Sequence, residues 1–241
     1  GPEGIKEFVR VYYAQTTLMD KFIGQVLDTL DEMDLAENTL VVFTSDHGDM
    51  LGSHHCVSKN IGAFFEYCMR VPLIIRYPGK LPAGTEVAGL ADLTEMLPTI
   101  LDYSGQADSI PDNIDGQSLR AVIDSPVPPA SWRSAIYGQR TLPEEGNWKN
   151  TEYVQRMIRT RKYKYWWSQE GGYDSRLYDM VNDPWEKNNL FHDPDYAQVA
   201  TDMHTQLRNW MQVEGDYALD AMPPQPVQND EAGTVGTSMG R

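Results

Sequence analysis

The sequence predicts an α/β protein, in which helices flank a sheet, followed by a small α+β subdomain. Three observations carry this fold class. Apolar residues recur at helical spacing from Ile5 to about Met33, a short apolar run at residues 40–43 ends abruptly in polar residues, and later strand-like runs precede a final helical pattern. With 241 residues, of which 41% are hydrophobic, the chain can bury the core of one or two domains.

The first half of the chain predicts a helix, two strands and a second helix. The helix over 5–33 is amphipathic, and we expect its aromatic stripe to pack in the core against the sheet. Val-Val-Phe at the centre of 39–45 is typical of a fully buried strand of a parallel sheet. A second buried strand is predicted over 71–77, and a helix over 92–103 whose Pro98 indicates a kink or a late start.

The second half predicts a short antiparallel sheet and a terminal helix. Prolines at 126, 128 and 129 mark a boundary, so we expect domains at 1–125 and 126–221, with a disordered tail at 222–241. Strands are predicted at 134–139, 154–160, 163–167 and 176–179, with hairpin glycines at 171–172 before the last, and a helix at 195–213. Basic residues alternate from Arg156 to Lys164, which is typical of a solvated strand face.

Polar residues follow the predicted strand 39–45 at once. They are Asp46, His47, Asp49, His54, His55 and Lys59. Ligands of open α/β sheets bind outside the carboxyl ends of the strands, so an oxygen ligand, an imidazole and a lysine leave the sheet edge together. This arrangement suits a cation and an anionic group held side by side. An isolated Asp-His-Gly is more simply a polar turn, but the longer string favours a site.

The string Ser45-Asp46-His47-Gly48, with Gly52, His54 and Lys59, resembles the sulfatases of the alkaline phosphatase superfamily, of the arylsulfatase and iduronate-sulfatase-like kind. Further segments resemble the same family in the same order. They are Tyr12-Tyr13-Ala14, Arg70-Val71-Pro72-Leu73, Asp92-Leu93, Asp115-Gly116-Gln117-Ser118-Leu119, Arg161-Lys162-Tyr163, Leu177-Tyr178-Asp179 and Asp183-Pro184-Trp185-Glu186. The resemblance reaches to about residue 210, and it implies an alkaline-phosphatase-like sheet between helices.

The resemblance also implies roles for four residues. Asp46 and His47 would be metal ligands for Ca²⁺, with Mg²⁺ or Mn²⁺ as alternatives. Lys59 would be catalytic and would bind the substrate by holding a sulfate oxygen. His54 would contact the substrate, or it would instead orient the loop.

Two parts of the family pattern are missing from this sequence. Neither Cys56 nor Cys68 stands in the Cys-x-Pro/Ala-x-Arg motif that yields the formylglycine nucleophile, and the early Asp-Asp pair of metal ligands is absent. We therefore expect the carboxy-terminal portion of a sulfatase, with the formylglycine in a missing amino-terminal half of the same protein. The intact parent would hydrolyse a sulfate ester on a carbohydrate or aryl group, whereas this chain alone would be inactive.

Composition restricts the partners. The net charge of −15 argues against nucleic acid and anionic membrane surfaces, and no run is long enough to span a membrane. The expected partners are a sulfated small molecule or glycan and the missing half of the protein. By resemblance, the location is periplasmic or secreted.

Two alternatives stay open at the level of sequence. One is a phosphonate or phosphate monoester hydrolase, or a phosphoethanolamine transferase, of the same superfamily; the later Leu-Tyr-Asp and Asp-Pro-x-Glu segments disfavour it. The other is a non-catalytic structural half that needs a partner chain. Neither the particular sulfate ester nor exo or endo action follows from the sequence.

Overall fold

The computed structural model describes residues 1–57, 64–125, 127–144, 147–169 and 175–227. The chain divides into two compact units, Gly1–Ile136 and Tyr137–Arg241. The predicted domain boundaries at 125/126 and 221/222 stay predictions. Within the described ranges, no helix has the length and apolar character that crossing a bilayer requires.

The first unit begins with the long helix α1 (Pro2–Glu32), as the periodicity predicts. Arg76 on the following sheet donates to Asp31 near the end of this helix, at 2.9 Å. The expectation that the aromatic stripe is core is wrong for the described structure, because Phe8 and Phe22 are 42% and 54% exposed. A helix of this length reaches about 45 Å, and a sheet of two four-residue strands is too short to cover it.

The predicted strands exist, but they run antiparallel. β1 (Val41–Thr44) pairs with β2 (Leu73–Arg76), with Thr44 opposite Leu73. The second strand therefore starts beside the end of the first. In the described part of the connection, the α-helix is the one-turn α2 (Glu66–Met69), whereas parallel pairs typically need a long crossover helix. Full burial is also wrong: β1 is partly buried throughout, and Ile74 is 60% exposed.

The rest of this unit packs around two short helices, α3 (Met96–Tyr103) and α4 (Arg120–Ile123). A capping box of Asp92 and Glu95 opens a 3₁₀ turn before α3, so the helix starts late, and Pro98 lies in its first turn. A buried apolar cluster joins α4 to the segment before the second unit. Its members are Leu119, Val122 and Trp132.

The second unit is an antiparallel sheet in the order β3-β4-β5-β6, followed by a helix. The strands are β3 (Ala135–Glu144), β4 (Asn147–Thr160), β5 (Tyr163–Ser168) and β6 (Arg176–Asp179), and the helix is α5 (Ala197–Glu214). The small sheet and terminal helix are confirmed. The predicted hairpin glycines at 171–172, and the tail beyond 227, lie outside the described residues.

Two of the alternating basic residues are buried, which contradicts the solvated-face interpretation for them. The side chain of Arg156 on β4 is fully buried and pairs with Asp216. Lys164 on β5 is 1% exposed at its side chain and lies 2.8 Å from Glu186. An alternating pattern does not show whether acidic side chains lie on the buried face of the sheet to pair with basic ones. The pattern therefore wrongly placed these two basic residues on the solvated face.

Candidate functional site

The site begins where β1 ends, in the tight turn Ser45-Asp46-His47. The His47 backbone N–H donates to Asp46 Oδ1 at 2.9 Å. The Ser45 hydroxyl donates to the His47 carbonyl oxygen, also at 2.9 Å. These local bonds satisfy the polar groups of the turn and fix the direction in which its two side chains leave the strand.

The His47 ring places a lone pair beside the Asp46 carboxylate. His47 Nδ1 lies 2.9 Å from the Gly48 carbonyl oxygen, which can only accept, so this nitrogen carries the proton. In the neutral ring Nε2 is then an acceptor, and it lies 3.3 Å from Asp46 Oδ2. Such an approach is favourable when a cation lies beside both acceptors, or when a proton on Nε2 makes the contact an ion pair. Adjacent ligands of Ca²⁺, with bonds of about 2.4 Å, lie about 3.4 Å apart, so the pair fits a divalent cation.

The electrostatics of Asp46 keep it ionised. The hydrogen bond from the His47 backbone N–H is the largest effect, and it lowers the pKa of Asp46 below its usual value. The Asp46 side chain is 82% exposed. The carboxylate is therefore charged at neutral pH and open to an incoming ligand.

Gly48 brings this turn against the short helix α2. Its N–H donates to the Cys68 carbonyl oxygen at 2.8 Å. A Cβ at position 48 would lie 2.0 Å from the Tyr67 carbonyl oxygen, so only glycine fits at this close approach. The Asp-His-Gly turn is thus fixed to α2 by main-chain contacts.

The loop between Gly48 and Cys56 is strained and carries His54. Leu51, His54 and His55 all adopt left-handed backbone conformations, with φ of 46°, 50° and 61°. Such conformations cost about 1 to 3 kcal/mol each and cluster at functional sites. The His54 ring stacks on Phe65 with the ring centroids 3.9 Å apart and the planes 17° from parallel.

The structure brings some of the predicted site residues together. Asp46 and His47 are in direct contact, and His54 lies on the loop that follows them. Lys59 lies outside the described residues. Over the described ranges, no group of three or more His, Cys, Asp and Glu side chains could hold a metal ion.

Sequence reasoning missed three residues that shape this site. Ser45 and Gly48 stand in the motif, but the sequence assigns neither of them a role. Phe65, which stacks on His54, belongs to no periodicity or motif that would single it out. The Tyr67 carbonyl oxygen leaves no room for a side chain at Gly48, and Phe65 stacks on His54. Both residues lie outside the motif, so the motif gives no information about these contacts.

The fold and the strand-end pair define an α/β protein with a candidate cation site. Residues 52–213 match the family described as N-sulphoglucosamine sulphohydrolase, C-terminal. This chain therefore belongs to the sulfatase family, within the alkaline phosphatase superfamily, and its α/β fold class agrees with the solved sulfatase structures.

Three known proteins show the extent of the similarity. The ulvan-active sulfatase of Formosa agariphila is 33% identical over 212 residues, covering 88% of this chain and 40% of that protein. A structure in complex with its substrate D-glucosamine-2-N,6-O-disulfate is 31% identical with a TM-score of 0.72, covering 85% of this chain and 40% of that one. The phosphonate monoester hydrolase of Agrobacterium radiobacter is 27% identical with a TM-score of 0.61, covering 84% of this chain and 39% of that one.

The chain thus spans about 40% of the length of the relatives it matches. Sulfatases in general use a metal ion and a formylglycine. The Asp46 carboxylate is a donor of the kind that a hard divalent cation prefers, whereas the His47 nitrogen is an unusual donor for Ca²⁺.

Proposed function

We propose that this chain is part of a sulfatase that hydrolyses a sulfate ester, and that Asp46 and His47 are two ligands of its Ca²⁺. The observation that carries the proposal is the 3.3 Å approach of Asp46 Oδ2 and His47 Nε2 at the end of β1. Ca²⁺ takes about 6 to 8 oxygen ligands, so the remaining ligands, including an Asp-Asp pair, come from other parts of the protein. Mg²⁺ and Mn²⁺ are the alternative ions.

Each residue of the site has a distinct task under this proposal. A hard divalent cation, when bound, neutralises negative charge on the sulfate oxygens. Asp46 supplies an ionised oxygen ligand, and the Gly48 carbonyl holds the His47 ring so that its free nitrogen faces the same point. Lys59 binds a sulfate oxygen through its ammonium group, and His54 contacts the substrate. The nucleophile would be a formylglycine, as in sulfatases in general, supplied by a part of the protein outside this chain.

We propose a carbohydrate sulfate ester as the substrate class. One similar protein is named for its action on ulvan, and the structure with a TM-score of 0.72 holds a disulfated glucosamine as its substrate. The net charge of −15 repels a sulfated glycan at long range, so the positive charge that attracts it must be local to the site. The expected location is periplasmic or secreted, because sulfated glycans occur outside the cell. Cell fractionation of the native host tests this location.

The test compares variants of the full-length protein that contains this chain. Asp46→Ala should lose the bound cation and lower kcat/KM by at least about 100-fold, because it removes a charged ligand. Lys59→Ala should lower kcat/KM similarly, by about 100-fold or more, but keep the cation. Elemental analysis of the purified proteins and a sulfate-release assay on sulfated glucosamine measure both effects.

Asp49→Asn is the matched control, because this carboxylate lies on the same loop but accepts a hydrogen bond from the Leu51 N–H at 3.0 Å. It should keep both cation and activity. If the Asp46→Ala protein kept the same cation content, the assignment of Asp46 as a metal ligand would be wrong. If Lys59→Ala left the turnover unchanged, the proposed role of Lys59 in binding the sulfate would be wrong.

A second candidate function is cleavage of phosphonate monoesters, since the phosphonate monoester hydrolase shares this fold at 27% identity. Sulfate and phosphonate monoesters of one phenol, assayed side by side with the full-length protein, separate the two. We expect the larger kcat/KM for the sulfate. A larger value for the phosphonate would reverse the order, and no turnover of either ester would favour the non-catalytic alternative.

A further inference from the structure

His54 lies in an aromatic corner formed by α2 and the residue before it. The face of its imidazole lies on the Phe65 ring, with centroids 3.9 Å apart. The Tyr67 ring meets it edge-on, with centroids 5.9 Å apart and planes at 71°. Aromatic ring contacts of this kind contribute about 0.5 to 1.5 kcal/mol beyond simple burial, so the corner favours the ring orientation that keeps both contacts.

Phe65 is well suited to hold another ring in place, because it is itself held. Its side chain belongs to the core, with only 8% of the residue exposed. Its carbonyl oxygen accepts the N–H groups of Cys68 and Met69, at 2.8 and 2.9 Å, which closes the single turn of α2. The stacking partner of His54 is therefore both buried and hydrogen-bonded in position.

The same turn also holds the candidate metal ligands. The Cys68 carbonyl oxygen accepts the Gly48 N–H at 2.8 Å, directly after His47. α2 thus fixes the Asp46–His47 turn through its carboxyl end and the His54 ring through the residue at its amino end. The backbone of His54, with φ of 50°, departs from helical geometry, and the ring leaves this strained turn towards Phe65.

We propose that Phe65 is a positioning residue, whose ring holds the His54 imidazole in the orientation in which it meets the sulfate ester. The inference rests on the proposed function and deepens it by naming a residue that the motif does not contain. Phe65 does not touch the reacting atoms. It acts through His54, because misplacing a substrate-contacting group by about 1 Å can lower a rate by about 100-fold.

The first measurement concerns the ring itself and needs no activity. A C–H proton held over the face of an aromatic ring resonates upfield, so the His54 ring signals of the full-length protein should be shifted upfield. His54→Gln identifies those signals by their loss. Phe65→Leu should remove the upfield shift, while Phe65→Tyr should keep it, because tyrosine restores the ring.

The second measurement is kcat/KM for sulfate ester hydrolysis by the same proteins. We expect Phe65→Leu to be about 10- to 100-fold slower and Phe65→Tyr to lie within about 3-fold of wild type. Phe191→Leu is the matched control, because Phe191 is a buried phenylalanine, 1% exposed, that also contacts a histidine ring, that of His192. It should leave both the His54 signals and kcat/KM unchanged.

Each result bears on the proposal. An upfield shift that survives Phe65→Leu overturns the stack. A lost shift with kcat/KM within 3-fold of wild type overturns the positioning role and leaves the sulfatase assignment intact. If the wild type hydrolyses no sulfate ester, the proposed function fails, and the role of His54 with it, whatever the ring signals show. Should Phe65→Leu fail to fold, Phe65→Met decides by the same criteria.

Discussion

Replacing Gly48 by alanine should destabilise the first unit and displace the candidate site. The added Cβ would lie 2.0 Å from the Tyr67 carbonyl oxygen and 3.0 Å from its carbon, whereas real Cβ contacts are essentially never shorter than 3.0 Å. The two main-chain segments must therefore separate by at least about 1 Å. Neither neighbour is the flexible end of a side chain, so the main chain itself has to move.

The size of the effect follows from two contributions. Overpacking against main-chain atoms costs about 1 to 3 kcal/mol. Separation also weakens the Gly48 N–H to Cys68 carbonyl bond, 2.8 Å long, whose net contribution is about 0.5 to 1.5 kcal/mol. We therefore expect the free energy of unfolding to fall by about 2 to 4 kcal/mol.

Urea denaturation measures the free energy of unfolding. Hydrogen-exchange mass spectrometry on peptides covering residues 64–76 then shows whether the loss of stability lies around α2 and β2. The matched control is Gly24→Ala, because a Cβ at Gly24 on α1 meets nothing within 4 Å. That change should be neutral or stabilising by up to about 1 kcal/mol, since alanine is the better helix former. A Gly48→Ala protein as stable as wild type would refute the steric account of the turn.

Two further predictions concern the second unit. The ion pair of Lys164 and Glu186 has side chains 1% and 0% exposed, so Lys164→Met or Glu186→Gln alone should lower the free energy of unfolding by about 3 to 5 kcal/mol. The double variant, measured by urea denaturation, should lose clearly less than the sum, and simple additivity would contradict a coupled pair. His204 donates from Nε2 to a carbonyl oxygen and accepts at Nδ1, and burial lowers its pKa below 6.5. Below pH 6.5 the His204 side chain therefore binds a proton more readily in the unfolded chain than in the folded one. The free energy of unfolding should consequently fall as the pH drops below 6.5. His204→Gln should flatten this slope and the exposed His192→Gln should not; an unchanged slope in His204→Gln would refute the linkage.

Periodicity and motif were enough to predict most of the elements. α1 and α5 carry apolar residues at helical spacing, and β1 is a short apolar run that ends in polar residues, so each follows from local pattern. The late start of α3 agrees with Pro98, which has no N–H to donate and is tolerated in the first turn of a helix but not in its interior. Asp46 and His47 are adjacent in the sequence where β1 ends, so their contact follows from local order, while their role as metal ligands stays a prediction.

The errors share a physical cause, which is that they depend on residues distant in sequence. An apolar run of four residues does not record the direction of its neighbour, so β1 and β2 could not be seen to run antiparallel. The burial of Arg156 depends on Asp216, sixty residues further along the chain. Likewise, the ring beneath His54 comes from Phe65, across a loop whose path the motif does not describe.

The most direct test of the central claim is a crystal structure of the full-length protein grown with Mn²⁺, with anomalous diffraction recorded at the manganese edge. The account predicts one strong anomalous peak within bonding distance of both Asp46 Oδ2 and His47 Nε2, with His47 Nδ1 still donating to the Gly48 carbonyl. A peak located elsewhere in the protein, with Asp46 and His47 bonded only to each other, would contradict it.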